Sequence, residues 1–399
     1  KSTLARSFLD EHAKSGQVLT FFSRCYEREL VPYKAVDGLL DAIAHFLRHA
    51  PDPLVDRVLP ARASVIAQVF PVLARVDALA RATMPDLTLD RREVRAWLFT
   101  ALRELLGNIA REKLVIALID DLHWADNDSM MLLSELLREP GSPRVLLLCT
   151  QRTPGTASEA KVFARDVDER TLELGNLSQS AAVDLIERLT QPELFPTLDS
   201  AQLALESGGH PLFLRELLEA TQQGAATAGS ITLDSVIGQR IAKLAQEPKR
   251  LLQLLSVSGA PLEASVLREA SGLDGNDFSD ALHSLRAHRL IHAAGEIFDD
   301  RLDISHDRLR RVVRNALPQS EVEALHRGLA GALEVRGDPV LSAAHWREAQ
   351  HPERAAQHYA SAGRLALEAL AFGDAASHYR AALSLGKWQG GERMSLLSA

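Results

Sequence analysis

The chain has 399 residues, of which 46% are hydrophobic and 25% charged, and its formal net charge is −8. This length allows about two to four domains, and the composition is that of an ordinary globular protein. The acidic balance argues against a protein that holds nucleic acid by bulk electrostatic attraction, because such proteins are usually basic.

The cysteines, the histidines and the apolar runs argue against three further classes: a disulfide scaffold, a zinc protein and a membrane-spanning protein. Cys25 and Cys149 lie far apart, which excludes a disulfide scaffold and indicates a reducing compartment, so we expect a cytoplasmic protein. The 14 histidines show no spacing typical of a zinc site. No apolar run approaches the ~18 residues of a membrane span, so no membrane partner is expected. No signal peptide is visible, and because the first residue is Lys1 rather than Met, we expect the natural chain to begin upstream.

The chain opens with Lys1-Ser2-Thr3 at the head of a helix whose apolar face includes Leu4 and Phe8. Lys-Ser at the start of such a helix is the end of the P-loop pattern GxxxxGK[ST], which binds nucleotide phosphates. The glycines of that pattern would lie before Lys1, so we expect the chain to be truncated within the P-loop. The alternative is an ordinary solvated helix start.

The next segments alternate between strand and helix patterns. They are, in order, a core strand at Val18–Phe22, a loop at 25–33, a helix at Val36–Leu47, a proline-rich break at 50–60, and helical spacing over 61–110, interrupted near Pro85 and ending in one long helix, Arg91–Ile109.

The most informative stretch is Leu114–Ile119, six apolar residues followed by Asp120 and Asp121. A strand that is buried on both faces of a parallel sheet has such a continuous apolar run. Ligands of α/β sheets bind at the carboxyl ends of the strands. The pattern is therefore that of a Walker B strand, which holds the Mg²⁺ of a bound nucleotide.

A further helix, a further buried strand and a short final strand follow, at about Ser129–Arg138, Val145–Cys149 and Thr171–Leu174, with a polar loop at 153–160. Strands separated by helices indicate a parallel, doubly wound sheet. We therefore predict an α/β P-loop NTPase core over residues 1–175.

Three helical segments are predicted after this core. Residues 176–245 form a helical lid that begins with Ser178 as N-cap and is broken at Gly208–Pro211 and at 224–230. Residues 246–315 form a winged-helix-like domain, with helices at Pro248–Val257, Leu262–Ser271 and Asp277–His288 followed by β-like runs at Leu290–Ala293 and Ile297–Ile304.

Residues 316–399 form a TPR-like helical array. Ala355–Tyr359 resembles Ala375–Tyr379 at an offset of 20 residues, not the 34 of a tetratricopeptide repeat. The two segments are either successive helices of an irregular array or a coincidence of alanine-rich composition. If they form an array, we expect it to continue beyond Ala399, because at least three repeats are normally needed for stability.

Together these segments resemble the STAND class of P-loop ATPases, the signal-transduction ATPases with numerous domains. The motifs that carry the resemblance are the P-loop end Lys1–Leu4, the extended Walker B segment Ile119–Asp126, the sensor strand Leu146–Arg152, the GxP segment Gly209–Leu214, the His-Asp motif Ser305–Arg310, and Arg24–Glu29 with Pro32-Tyr33, as in large bacterial regulators.

The resemblance implies ATP, ADP and Mg²⁺ as ligands. Lys1, Ser2 and Thr3 would bind the nucleotide phosphates, and Ser2 and Asp120 would hold Mg²⁺. The alternative for Asp120 is a helix N-cap, although a second carboxylate beside it would be costly without a cation.

Four further residues have implied roles, each with a structural alternative. Asp121 would orient or deprotonate the attacking water, or else pair with an arginine. Arg152 would sense the γ-phosphate, or else form a surface salt bridge. Pro211 would pack on the adenine, or else only break a helix.

His306 would contact the β-phosphate of ADP in a closed state, or else be an ordinary buried histidine. His123 and Trp124 are expected to pack and fix the loop, and Asp126 to cap the following helix.

The implied function is a nucleotide switch with slow hydrolysis. An effector or protein partner on the helical repeats would shift the switch, with self-association on activation. The output would be a separate domain such as a serine/threonine kinase or a cyclase, although no kinase signature occurs in these residues.

Two alternatives stay open. One is a DNA-loading AAA+ ATPase, supported by Arg308, Arg310, Arg311 and Arg314 but disfavoured by the acidic charge. The other is a non-catalytic scaffold.

Overall fold

The computed structural model describes residues 1–26, 32–81, 90–152, 163, 167–190, 199–222, 233–293 and 301–398. The helices are α1 Ser2–Ala13, α2 Lys34–His49, α3 Asp52–Val58, α4 Ala63–Val69, α5 Asp77–Ala80, α6 Arg91–Glu112, α7 Asn127–Leu136, α8 Gln179–Leu189, α9 Ser200–Glu206, α10 Pro211–Gln222, α11 Leu233–Ala242, α12 Gln246–Ser258, α13 Ala264–Ser271, α14 Gly275–Ala287, α15 Asp307–Asn315, α16 Gln319–Val335, α17 Pro339–Glu348, α18 Pro352–Glu368, α19 Phe372–Leu385 and α20 Gly390–Ser398. The strands are β1 Val18–Arg24, β2 Leu114–Asp120, β3 Val145–Cys149, β4 Leu262–Glu263, β5 Ile291–Ala293 and β6 Arg301–Ile304.

The chain divides into two compact units. The first contains residues 1–170 together with 333–399, and the second contains residues 171–332. This division is coarser than the four predicted segments, whose boundaries at 175, 245 and 315 stay predictions. No helix in the described ranges combines the length and the apolar character that crossing a bilayer requires.

The core of the first unit is a parallel sheet in the order β1-β2-β3. Alternate side chains of β2 point to opposite faces. Ile116 and Leu118 pack with Leu9 of α1, whereas Ala117 and Ile119 belong to the large cluster on the other face. Both faces are therefore covered, which explains why β2 has no alternation of polar and apolar residues. The predicted parallel α/β core is confirmed.

Two predictions for this part of the chain are wrong. Thr171–Leu174 forms no strand, since Leu172 is 89% exposed and finds no apolar surface to cover. The proline-rich break at 50–60 contains helix α3, because Pro51 is its N-cap and Pro53 lies in its first turn. At the start of a helix the missing N–H of proline costs no hydrogen bond.

The C-terminal helices α17–α20 belong to the first unit. The two similar segments lie at the starts of successive helices, α18 and α19, as the array interpretation predicted. Ala366, Leu370 and Ala371 join the same apolar cluster as β2 and α6. Residues of α18 and α19 and of the turn between them thus contribute to the apolar core that packs on the sheet.

The second unit contains the predicted lid and winged-helix-like segments. Ser178 caps α8 by accepting a hydrogen bond from the N–H of Ala181, as predicted. The predicted hairpin forms as β5 and β6, and β4 pairs on the other side of β6 to give an antiparallel sheet. Because Leu262 and Glu263 form β4, the predicted helix there begins at Ala264.

Several sequence predictions concern residues outside the described ranges. They are residues 27–29 of the Arg24–Glu29 motif, residues 27–31 of the loop predicted at 25–33, the interruption near Pro85, the polar loop at 153–160, the break at 224–230, and the first part of the strand predicted over Ile297–Ile304.

Candidate nucleotide and metal site

The carboxyl end of β2 places Asp120 at the edge of the parallel sheet, with only 1% of the residue exposed. Its Oδ1 atom accepts two hydrogen bonds, one from the Ser2 hydroxyl at 2.7 Å and one from the Thr150 hydroxyl. Its Oδ2 atom is buried and has no hydrogen-bond partner within the described residues. The carboxylate is thus held in place through one oxygen, while the other remains able to accept a ligand.

Ser2 reaches Asp120 because α1 packs on β2 through Leu9. Lys1 precedes this helix, and its Nζ atom donates to the carbonyl oxygen of Gln151 at 3.0 Å. Thr3 is exposed in the first turn. The structure therefore brings Lys1 and Ser2 from the start of the chain to the ends of β2 and β3.

The residues at this edge fit a magnesium ion. Mg²⁺ prefers oxygen ligands, usually one or two carboxylates together with water and phosphate oxygens. The Ser2 hydroxyl and the buried Oδ2 of Asp120 supply such oxygens. A buried carboxylate oxygen that accepts no hydrogen bond is costly, and a water bound to a cation would remove that cost.

Asp121 adopts a left-handed backbone conformation with φ 57°. The Thr150 hydroxyl stabilises this turn by accepting a hydrogen bond from the Asp121 N–H at 2.9 Å. The Asp121 carboxylate accepts a hydrogen bond from Arg24 Nη2 at 3.2 Å. The arginine pairing considered from the sequence is therefore present, and the catalytic role of Asp121 stays a prediction.

The segment after Asp121 is fixed as the sequence analysis expected. Asp126 is the N-cap of α7 and accepts a hydrogen bond from the Ser129 N–H at 2.6 Å. It also accepts one from the N–H of Lys34 at 3.1 Å. Trp124 packs against the large apolar cluster, and the His123 ring lies 5.0 Å from the Trp124 ring.

Helix α7 also contacts the start of α19. The buried carboxylate of Asp128 accepts a hydrogen bond from the Asp374 N–H at 3.0 Å. Arg95 forms a 3.4 Å ion pair with Asp128, and its guanidinium lies 4.6 Å from the ring centre of Phe372. Nearby, the Tyr33 hydroxyl donates to the carbonyl oxygen of Leu370 at 3.0 Å.

Two carboxyl groups at this contact have raised pKa values. Burial, reinforced by the charges of Asp126 and Asp128, raises the pKa of Asp374 to about 7, against a smaller opposing effect of Lys34. The pKa of Asp128 is also raised, mainly by burial. The contact between α7 and α19 therefore contains groups that titrate at higher pH than ordinary aspartates.

The comparison with protein families agrees with the geometry of the sheet edge. Residues 1–148 match the AAA ATPase domain family. The predicted P-loop ATPase core is confirmed for this part of the chain. The matched region includes Lys1, Ser2 and Asp120 and ends within β3.

Two other comparisons were made. No curated protein matches the chain. Among solved structures, the chain is similar to a signal-transduction ATPase with numerous domains (STAND) from Pyrococcus horikoshii that carries a tetratricopeptide repeat sensor, with 17% identity and a TM-score of 0.49. The match covers 91% of this chain and 51% of that protein, so the chain spans about half of its length.

Arg152 lies two residues beyond Thr150, just after the AAA ATPase match, and is exposed. Its predicted contact with a γ-phosphate stays a prediction, as do those of Pro211 and His306, which belong to the second unit. Pro211 is exposed at the first position of α10. Just before it, Gly209 has φ +70°, and a Cβ there would lie 2.1 Å from the carbonyl oxygen of Leu177.

His306 caps α15, since its Nδ1 atom accepts a hydrogen bond from the Leu309 N–H at 3.0 Å. Its Nε2 atom lies 3.4 Å from the Glu216 carboxylate, which also binds Arg240. Burial alone would raise the pKa of Glu216, but the bonds from His306 and Arg240 outweigh it and lower the pKa. His306 thus links α15 to α10.

Two residues at the carboxyl edge of the parallel sheet, Thr150 and Arg24, were not predicted as site residues. A usable signal existed for both, because each is a polar residue at or just after the end of a strand. In the parallel register Arg24 lies opposite Asp120, and Ile119 lies opposite Cys149, which puts Thr150 beside the two acids. Pairing the predicted strands by their ends would have found them.

Proposed function

We propose that the chain is a nucleotide switch of the STAND type, which binds ATP and ADP with Mg²⁺ and hydrolyses ATP slowly. The observation that carries this proposal is the arrangement of Ser2, Asp120 and Thr150 at the carboxyl edge of the sheet. Ser2 and Asp120 lie within the region that matches the AAA ATPase domain family, and Thr150 lies just beyond it.

In this proposal each residue has a separate task. Lys1 donates to the β- and γ-phosphate oxygens, and Ser2 and Asp120 hold the cation. A bound Mg²⁺ supplies positive charge that neutralises the charge developing on the phosphates. Thr150 orients Asp120 and fixes the turn at Asp121 through its single hydroxyl.

The surroundings of Asp121 favour slow hydrolysis. Its carboxylate already accepts a hydrogen bond from the Arg24 guanidinium. One oxygen of the Asp121 carboxylate is thereby already engaged, so in this proposal Asp121 orients the attacking water rather than acting as its base. This role suits a switch that hydrolyses slowly and retains its nucleotide.

The contact between α7 and α19 supports coupling to the helical array. Asp126 and Asp128 follow the Walker B strand in the chain, and Asp128 holds the start of α19. An effector or protein partner on the helical repeats could alter this contact and so shift the two nucleotide states. A ligand shifts such an equilibrium only by its different affinities for the two states.

The output of the proposed switch follows from the sequence resemblance alone. A serine/threonine kinase domain is the first expectation, with self-association on activation. In the ADP-bound state, Pro211 would pack on the adenine and His306 would contact the β-phosphate.

The alternative of a DNA-loading ATPase loses support. Arg308 forms two hydrogen bonds with the Asp234 carboxylate, at 2.6 and 2.9 Å. Arg310 binds Asp303 and the carbonyl oxygen of Leu255. These two arginines of the basic run are engaged within the second unit, so fewer charges remain for a phosphate backbone.

The test uses the natural full-length protein. We expect it to retain ADP through purification, to be stabilised by Mg-ADP, and to turn over ATP slowly. A ligand at 100 times its dissociation constant adds about 2.7 kcal/mol to the free energy of unfolding. Rapid turnover without retained ADP would contradict the switch, and the absence of any stabilisation would favour the scaffold.

A matched pair of variants separates the site from general effects. Asp120→Asn keeps the side-chain volume but removes the charge, so we expect the Mg²⁺-dependent part of ADP affinity to fall about tenfold or more. Asp56→Asn, at an exposed position of α3, is the control and should bind as the wild type does. Equal affinities in both variants would remove Asp120 from the metal site.

A further inference from the structure

Arg24 is the last residue of β1 and lies opposite Asp120 in the parallel register. Its guanidinium reaches both acids of the Walker B strand. Nη2 lies 3.2 Å from Asp121 Oδ2, and Nε lies 3.8 Å from Asp120 Oδ2. One cation thus faces two adjacent carboxylates.

The burial of these groups makes the charge of Arg24 important. Asp120 has 1% of its side chain exposed and Asp121 has 18%, so water compensates their charges poorly. The hydroxyls of Ser2 and Thr150 orient Asp120 but carry no charge. Two neighbouring carboxylates without a cation would repel each other strongly in such surroundings.

The geometry distinguishes the two acids. Arg24 hydrogen-bonds to Asp121, whereas its approach to Asp120 Oδ2 is an ion pair at a distance too long for a hydrogen bond. The ring of Tyr26 lies 5.2 Å from the guanidinium carbon and supports it in this position. The positive charge of Arg24 therefore stabilises Asp120 Oδ2 electrostatically, while this oxygen remains able to accept a hydrogen bond from a metal-bound water.

We propose that Arg24 is the internal counter-ion of the metal site. It balances the two carboxylates when no nucleotide is bound, and it weakens the binding of a free divalent cation to Asp120. The site then takes its cation together with a nucleotide, whose phosphates supply the negative charge that offsets Arg24. This inference rests on the proposed nucleotide site. It adds a positioning residue that makes the site prefer a cation bound to a nucleotide over a free cation.

The test measures metal binding without any turnover. Mn²⁺ replaces Mg²⁺ as the probe, and its binding to the nucleotide-free full-length protein is followed by electron paramagnetic resonance. In Arg24→Gln, we expect the Mn²⁺ dissociation constant to fall at least about tenfold, because a unit charge a few ångströms away is removed. The preference of the site for Mn-ADP over free Mn²⁺ should fall correspondingly.

Two variants serve as controls. Arg24→Lys keeps the charge, so its Mn²⁺ affinity should stay within about threefold of the wild type. Arg6→Gln removes an arginine that also stacks on an aromatic ring, that of Phe22, and should leave Mn²⁺ binding unchanged. Circular dichroism checks that each variant is folded. If Arg24→Gln does not fold, comparing the Mn²⁺ affinity of Arg24→Lys with that of the wild type still tests whether a positive charge at this position is enough to keep that affinity low.

An unchanged or weaker Mn²⁺ affinity in folded Arg24→Gln would overturn the inference. So would an Arg24→Lys variant that binds free Mn²⁺ ten times more tightly than the wild type. Failure of the proposed function would give a different result, because the wild type would then show no stabilisation by Mg-ADP. The affinities of the wild type and Arg24→Gln for free Mn²⁺ could still be compared in that case.

Discussion

Tyr33 provides the most direct test of how the C-terminal helices are held. Its side chain is completely buried, and its hydroxyl donates to the carbonyl oxygen of Leu370, which lies between α18 and α19. Its ring packs against Phe70 and Phe99, with centroids 5.6 and 6.2 Å away. Tyr33→Phe would keep these ring contacts and remove a single hydrogen bond.

The expected loss follows from burial at both ends of that bond. Leu370 is 5% exposed, so its carbonyl oxygen would gain little access to water in the variant. A buried acceptor that loses its partner costs about 1–3 kcal/mol. We therefore expect the free energy of unfolding of the first unit to fall by about 1–2 kcal/mol, which lowers its melting temperature by roughly 2–6 °C.

Urea denaturation measures this loss, and hydrogen exchange shows where it occurs. The amides of α18 and α19 should exchange faster in Tyr33→Phe, while those of β2 should change less. Tyr379→Phe is the matched control, because the Tyr379 hydroxyl makes no hydrogen bond within the described residues. If both variants lost the same small amount, below about 0.5 kcal/mol, the hydrogen bond to Leu370 would not hold the array.

Three further predictions concern other parts of the chain. The pKa of Asp374 is raised from its ordinary value to about 7, so the folded state holds a proton that the unfolded chain releases. The free energy of unfolding should therefore fall as the pH rises from about 4 to 7 and level off above pH 7. Asp374→Asn should remove about 1–2 kcal/mol of this pH dependence, allowing for solvent screening. If the variant and the wild type showed the same dependence of stability on pH, this prediction would be contradicted. Gly209→Ala should destabilise the second unit by more than about 2 kcal/mol in thermal unfolding, whereas Gly208→Ala, with φ +56° but no atom near the added Cβ, should cost about 1 kcal/mol. His306→Asn should keep the cap of α15, so calorimetry should find it about 1 kcal/mol more stable than His306→Ala.

The sequence predicted the centre of the first unit well because burial on both faces leaves a clear pattern. The apolar run before Asp120 defined β2, and the Lys1-Ser2 helix start was correctly expected to face its end. Ser178 and Asp126 were recognised as helix caps because a short polar side chain before an apolar-periodic segment has a local cause. Such features depend on neighbours in the sequence.

The missed features depend on contacts that are distant in the sequence. The sequence analysis assigns no role to Asp128, yet its carboxylate accepts a hydrogen bond from the N–H of Asp374, 246 positions away. The strand predicted at Thr171–Leu174 has suitable residues, but it pairs with no strand among the residues that the structure describes. Strand propensity depends on such a partner, and hydrophobic periodicity does not reveal whether one exists.

The shared core of β2 and the C-terminal helices has a consequence for synthesis of the protein. Residues 1–170 leave the ribosome before residues 333–399, which complete the same unit. At about 5–20 residues per second, the roughly 200 residues from residue 170 to Leu370 take about 10–40 s to synthesise. During that time Tyr33, Phe70 and Phe99 lack the cover of Leu370 and Ala371. We therefore expect the nascent sheet to expose apolar surface during this interval, and a fragment that ends near residue 170 to be prone to aggregation.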